Sequence, residues 1–154
     1  MRKLLTAALT TAFVLPAVAA MAAPPEDVVK ARQGYYSLLG LEMDGLAAMA
    51  KGEVPYDAEA AKAHAANLQV MTTYSPAGLY APGTSKADMP GKTRALPEIW
   101  ENFPKVGEKG AAFREAVGEL ASVAGDGLDA LRPAVGKLGG TCKSCHDDFR
   151  ATDF

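Results

Sequence analysis

Cys142, Cys145 and His146, in the run GGTCKSCHDDFR, are the residues of this chain best equipped for chemistry. They include both cysteines of the chain and one of its two histidines. Positions i, i+3 and i+4 share one face of a helix. Cys-x-x-Cys-His on such a face points to covalent attachment of haem c. The two thiols would add across the vinyl groups of one porphyrin edge, and His146 would become the proximal ligand of the iron. A structural disulfide explains the pair poorly, because so small a loop constrains the unfolded chain little. A structural zinc site wants four ligands. The chain offers these three and the distant His64, and adjacent Cys145 and His146 sit awkwardly on a tetrahedron. A thioredoxin-like redox pair expects a βαβ setting, and no such pattern is visible.

Haem c is attached outside the bacterial cytoplasm, and the N-terminus fits export. Arg2 and Lys3 precede an apolar run from Leu4 to Ala20, and Ala20-Met21-Ala22 offers small residues to a signal peptidase. Pro16 breaks the run, which is shorter than the ~20 residues of a membrane-spanning helix. Residues 1–22 therefore read as a cleaved signal peptide for the periplasm, and 23–154 as a single domain. Without Arg2 and Lys3 the mature part carries fourteen basic residues against eighteen acids, about −4. That balance gives no support for nucleic-acid binding, and the mature part has no membrane segment.

The cysteine cluster needs helices to position it, and the sequence supplies four amphipathic stretches. The first spans about Glu26 to Ala50, with the inner stripe Val29, Arg32, Tyr36, Leu39, Met43 and Leu46 at alternating three-four spacing. Asp57 is the expected N-cap of the second, which reaches about Tyr74 and carries Ala61, His64, Leu68 and Met71 on one face. A long connection follows, broken by four prolines and three glycines. The third begins near PEIWENF and reaches about Ala124, with Pro104 separating a first turn from the main helix. The fourth starts after Asp126 and carries Leu128, Leu131, Val135, Leu138, Cys142, Cys145 and Phe149 on its stripe; Pro133 predicts a kink. Gly139 and Gly140 suit either a close macrocycle or neighbouring helix, or a simple helix irregularity. The expected fold class is all-α, an antiparallel four-helix bundle with one long connection between helices 2 and 3.

In this order, VVKARQ, KGEVPYDAEA, PGT, PEIW and KLGGTCKSCHDDFR resemble stretches of cytochrome c prime, the high-spin branch of the class II c-type cytochromes. The resemblance covers essentially the whole mature chain. It implies one covalent haem c, held through Cys142 and Cys145, with His146 as the metal ligand. Methionine does not follow His146, so a sixth ligand would come from Met43, Met49, Met71, Met89 or His64. In low-spin relatives a first-helix methionine ligates the iron, and alignment through KGEVPYD puts Tyr36 at that position. A neutral phenol is a poor ligand for ferrous iron, so the resemblance implies five-coordinate iron with Tyr36 filling the distal face; ordinary core filling is the plainer reading of Tyr36. Met43, Met49 and Met71 also suit the core, and His64 suits a partly buried or interface position.

Arg32 is a cation in a hydrophobic seam and needs a partner, unless it snorkels out from the helix end. Family resemblance puts an Arg-Gln pair beside the haem propionates, matched by Arg32-Gln33, with Thr93-Arg94 a further propionate-side candidate. The family pattern sets Arg150 near the proximal pocket, although it also suits a solvated helix end. The implied functions are binding of the diatomic gases NO and CO, with nitric oxide protection, or one-electron transfer with an unidentified redox partner. The alternative is a low-spin six-coordinate electron carrier. The family commonly forms homodimers through the first two helices. Nothing in the sequence supports an enzyme of the hydrolase or transferase type.

Overall fold

A computed structural model describes residues 23–154; the signal peptide expected at 1–22 lies outside the described residues. Five α-helices follow in order: α1 Pro25–Lys51, α2 Ala58–Met71, α3 Glu98–Glu101, α4 Phe103–Val123 and α5 Leu128–Phe149. The four long ones form the bundle, with α1 against α2 and α5, and α4 against α2 and α5. This is an up-and-down four-helix arrangement with one long connection, between α2 and α3. Among the described residues the only β-type pairing is an isolated bridge between Ala95 and Arg150.

Local chemistry sets the helix ends. Pro25 opens α1, with Glu26 and Asp27 at the positive end of its dipole. Gly52 closes it in the left-handed conformation (φ 78°), and the amide of Glu53 returns to the carbonyl of Ala48. Asp57 caps α2 as expected by accepting from the amide of Ala60 (2.9 Å). The α2 helix ends at Met71 rather than Tyr74, where the amides of Thr73 and Tyr74 make i−3 bonds instead. The break in the third stretch falls at Asn102, whose side chain caps α4 through the amide of Lys105. Pro104 thereby lies in the first turn of α4, where its missing N–H is harmless. The α5 helix continues through Pro133 to Phe149, so the proline does not end it.

Leu39, Leu46, Leu68, Val117, Leu120, Leu131 and Leu138 form the buried core, drawn from the stripes of all four long helices. Tyr56 joins the two short loops at one end, donating to Ala124 O (2.9 Å) and accepting from the amide of Gly127 (3.0 Å). The opposite end is closed by the long connection, residues 72–97, which contains one short 3-10 turn, Pro76–Leu79. No atom beyond the local helix lies within 4 Å of a Cβ built on Gly139 or Gly140, so they do not accommodate a neighbouring helix.

Candidate functional site

At the end closed by the connection, α1, α4, α5 and the connection enclose a cavity of about 800 Å³. Cys142, Cys145 and His146 reach it from α5, Tyr36, Leu39 and Met43 from α1, and Phe113 from α4. Its volume lies in the ~300–1,000 Å³ range of cofactor sites.

Cys142 and Cys145 are free thiols, half-buried on the inner stripe of α5. Burial pushes both thiols above their ordinary range, and Lys109 partly offsets this at Cys145. Lys109 is itself held by Asp148 (3.0 Å) and Ser144, so α4 presents a fixed cation beside the second cysteine. Burial, then the charge of Arg94, lowers the basicity of His146 against the opposing effect of Asp147. A neutral imidazole is the form that ligates a metal. The Arg150 guanidinium stands 3.4 Å from His146 Nδ1.

Arg32 is only 4% exposed. Its Nη1 donates to Leu79 O (3.0 Å) and Thr84 Oγ1 (3.1 Å), and its Nη2 to Thr84 O (2.7 Å) and Thr93 Oγ1 (3.0 Å). Its guanidinium carbon lies 5.3 Å from the Tyr80 ring centre and 5.7 Å from that of Trp100. Burial lowers its pKa, opposed by Tyr80 and Tyr36. None of the ion pairs among the described residues includes Arg32. It is thus a buried cation at a cavity wall with neutral partners only, fastening the connection to α1.

The other expected residues gather around the same cavity. Gln33 donates to Lys92 O (2.8 Å), and Thr93 accepts from the amide of Ala95 as well as from Arg32. Arg94 reaches Thr152 O and packs over the Phe154 ring. The amide of Leu96 bonds to Phe149 O (3.0 Å) and that of Ala151 to Arg94 O (2.8 Å), joining the connection to the chain end. Tyr36 borders the cavity with its hydroxyl 2.6 Å from that of Tyr80. Of the five candidate sixth ligands only Met43 lines the cavity. Met49 is core, Met71 packs against the core, and Met89 sits in the connection. His64 Nδ1 pairs with Glu42 (2.6 Å) between α2 and α1, the half-buried interface position expected of it.

Two wall residues carried no signal in the sequence, Tyr80 and Lys109; behind Tyr80, Trp100 of the PEIW stretch donates from Nε1 to Tyr80 O (2.9 Å). Tyr80 lies outside any periodic stripe, and Lys109 looks like an ordinary solvated lysine.

The residues present suit a large planar anionic cofactor: two thiols and an imidazole on one helix face, an apolar chamber, and a buried cation without an acid. A family model described as Cytochrome C' matches residues 27–150, nearly the whole bundle. The chain belongs to the cytochrome c' family. Cytochrome c' of Cereibacter sphaeroides is 59% identical over 97% of this chain and 98% of its own length. A solved cytochrome c' from Rhodobacter Spheriodes superposes with a TM-score of 0.82 at 58% identity, covering 84% of this chain and 99% of that one. Cytochrome c' of Alcaligenes xylosoxidans has been solved as one variant with carbon monoxide and as a ferrous variant with NO. Both are 34% identical with a TM-score of 0.72, covering 84% of this chain and 98% of theirs. The cofactor of this family is covalent haem c, and its two thioethers fall to Cys142 and Cys145, the chain's only cysteines. Among the described residues no helix is long and apolar enough to cross a membrane.

Proposed function

We propose that this cytochrome c' is exported to the periplasm by residues 1–22 and binds NO and CO at five-coordinate iron. His146 is its sole axial protein ligand. The observation that carries this reading is Tyr36: it lines the chamber of Cys142, Cys145 and His146 where a low-spin relative would offer methionine. When bound, haem c supplies an iron that can hold an electron or a diatomic gas.

The chain's own groups then divide the work. The α5 helix sets the spacing of the two thiols and the imidazole. Arg32, with Gln33, Thr93 and Arg94, serves the propionate side, where a cofactor carboxylate would give the buried guanidinium its missing counter-charge. Arg150 stands beside Nδ1 of His146, and burial, then the charge of Arg94, lowers the basicity of the imidazole. Tyr36 crowds the approach of an incoming gas. NO and CO binding in relatives supports this gas chemistry. The protein is read as a binder and electron carrier, with a role in nitric oxide protection.

Homodimerisation through α1 and α2 is part of the proposal. Leu38 and Leu41 on α1 and Val70 on α2 are 54%, 63% and 68% exposed, an apolar set that a second copy would cover. One solved cytochrome c' undergoes ligand-controlled dimer dissociation.

The lining position of Met43 favours one second reading, a six-coordinate electron carrier ligated by that methionine. Absorption spectra of protein matured with haem in a periplasm, ferric and ferrous, with and without CO, decide between them. A broad ferrous Soret band that sharpens with CO supports the gas binder. A sharp ferrous spectrum indifferent to CO supports the carrier.

A further inference from the structure

Tyr80 is held at the cavity by Trp100 and Arg32. Its carbonyl accepts from Trp100 Nε1 (2.9 Å), and its ring packs edge-to-face on Trp100 with centroids 6.0 Å apart. The Arg32 guanidinium covers the same ring at 5.3 Å, itself fastened by four hydrogen bonds. The position of the Tyr80 hydroxyl is therefore set by Trp100 and Arg32. That hydroxyl lies 2.6 Å from the hydroxyl of Tyr36. Tyr36 comes from α1 and borders the cavity, with 42% of its surface accessible. Its ring has one aromatic neighbour, Tyr35, edge-on at 5.3 Å.

Two phenols carry two protons but share one hydrogen bond, so one O–H is left over. Burial raises the pKa of both phenols, and both stay protonated. The cation over the Tyr80 ring decides the direction. Cys145 and Tyr35 oppose negative charge on both phenols, but the Arg32 guanidinium lies over the Tyr80 ring, 5.3 Å from its centre, and stabilises such charge there most closely. Tyr80 is thus the stronger acid of the pair and the better donor.

We propose that Tyr80 is a positioning residue for gas binding: it donates to Tyr36, fixes that phenol, and leaves the Tyr36 O–H pointing into the cavity as a donor to the bound diatomic. The bond accepted from Tyr80 polarises this O–H further. The distal wall is then polar as well as crowded, and it favours ligands whose outer atom gathers negative charge. This inference rests on the haem reading above and goes beyond it, since crowding alone needs no partner for Tyr36.

The test is the infrared C–O stretch of the ferrous CO complex of the holoprotein in H₂O and D₂O. The proteins are the wild type, Tyr36→Phe, Tyr80→Phe and the double variant. A donor on the ligand oxygen lowers the stretch, so Tyr36→Phe should raise it and abolish its D₂O sensitivity. Tyr80→Phe should raise it part of the way. In the Tyr36→Phe background the second substitution should do nothing, the coupling expected when one residue acts through the other. A Tyr80→Phe stretch equal to wild type, or the same shift with and without Tyr36, overturns the proposal. Should Tyr80→Phe not fold, a wild-type stretch identical in H₂O and D₂O overturns it alone. If no CO complex forms, the five-coordinate reading fails and takes this inference with it. A complex that forms with an unmoved stretch sinks only the role of Tyr80.

Discussion

Arg32→Ala removes the group that fastens the connection to α1. The guanidinium holds residues 79–93 onto α1 through four hydrogen bonds. Removing it treats the acceptors unequally. Thr84 Oγ1 keeps its bond to Ala81 O, and Thr93 Oγ1 keeps the amide of Ala95. The carbonyls of Leu79 and Thr84 belong to residues only 5% and 0% exposed, and they lose charged donors. A buried polar group left without its partner costs about 1–3 kcal/mol. Two such groups give roughly 2–6 kcal/mol, less what is regained by no longer burying a cation, so about 2–4 kcal/mol is expected. At about 3–5 °C per kcal/mol for a domain of this size, the melting temperature should fall by roughly 6–20 °C. Arg32→Lys keeps the charge without the fork and should fall between the two. Thermal unfolding of the holoprotein by circular dichroism gives the magnitude. Amide hydrogen exchange then locates the loss, which should concentrate in residues 79–95 and spare α4. A melting temperature within about 2 °C of wild type, with exchange in the connection unchanged, would refute the assignment of Arg32 as the clasp of this segment. Its value would then lie with the cofactor alone.

Other outcomes follow from single contacts. Met43→Leu should leave the ferrous spectrum and its response to CO unchanged; a sharp band that broadens on this substitution would identify Met43 as a ligand. Asp57→Ala removes the bond to the amide of Ala60 and should cost about 0.5–2 kcal/mol, read as a lower denaturant midpoint with unchanged slope. Hydrogen bonds from Lys109 and Lys105 hold the Asp148 carboxyl below its ordinary range, as Lys86 does for Asp153. Their stabilisation is present above the unfolded value of about 3.9 and is lost as pH falls through the lowered folded values. Acid titration of Asp148→Asn should therefore show a shallower loss of stability below pH ~4 than wild type; identical acid profiles would count against the α4–α5 tie. Arg94→Gln removes the charge that adds to burial in lowering the basicity of His146 and should strengthen the iron–imidazole bond, seen as a higher iron–histidine stretching frequency in the ferrous Raman spectrum; an unchanged frequency would argue against any influence of that charge.

What the sequence made legible was mostly a matter of faces and ends. Three-four spacing put Leu131, Val135, Leu138 and Phe149 on one buried face of α5, and that face carries Cys142 and Cys145 into the cavity. Asp57 announced its cap because the partner amide is three residues away. Pro104 was harder: a proline marks a discontinuity but does not say on which side of it the helix begins. Asn102, two residues earlier, takes the cap and turns the proline from an interruption into a helix start.

Partners distant in sequence are a different problem. Arg32 stood out at once as a cation in an apolar stripe, and the need for compensation followed from its charge. The compensation comes from Leu79, Thr84 and Thr93, 47 to 61 residues away in a segment without periodicity. Nothing in the spacing of that segment says which carbonyl or hydroxyl faces α1. Tyr80 shows the same gap more sharply. A tyrosine between a short turn and a Pro-Gly pair looks like surface, yet its hydroxyl meets that of Tyr36, one of the two α1 phenols that border the cavity. Tyr36 and Arg32 are one helical turn apart, so the connection that fastens Arg32 necessarily carries residue 80 past residue 36. The clasp and the phenol pair are therefore one piece of architecture. Loosening Arg32 should free Tyr36 as well, and Arg32→Ala should shift the C–O stretch in the same direction as Tyr80→Phe. An Arg32→Ala protein with a lowered melting temperature and a wild-type stretch would separate the two and leave Tyr80 positioned by Trp100 alone.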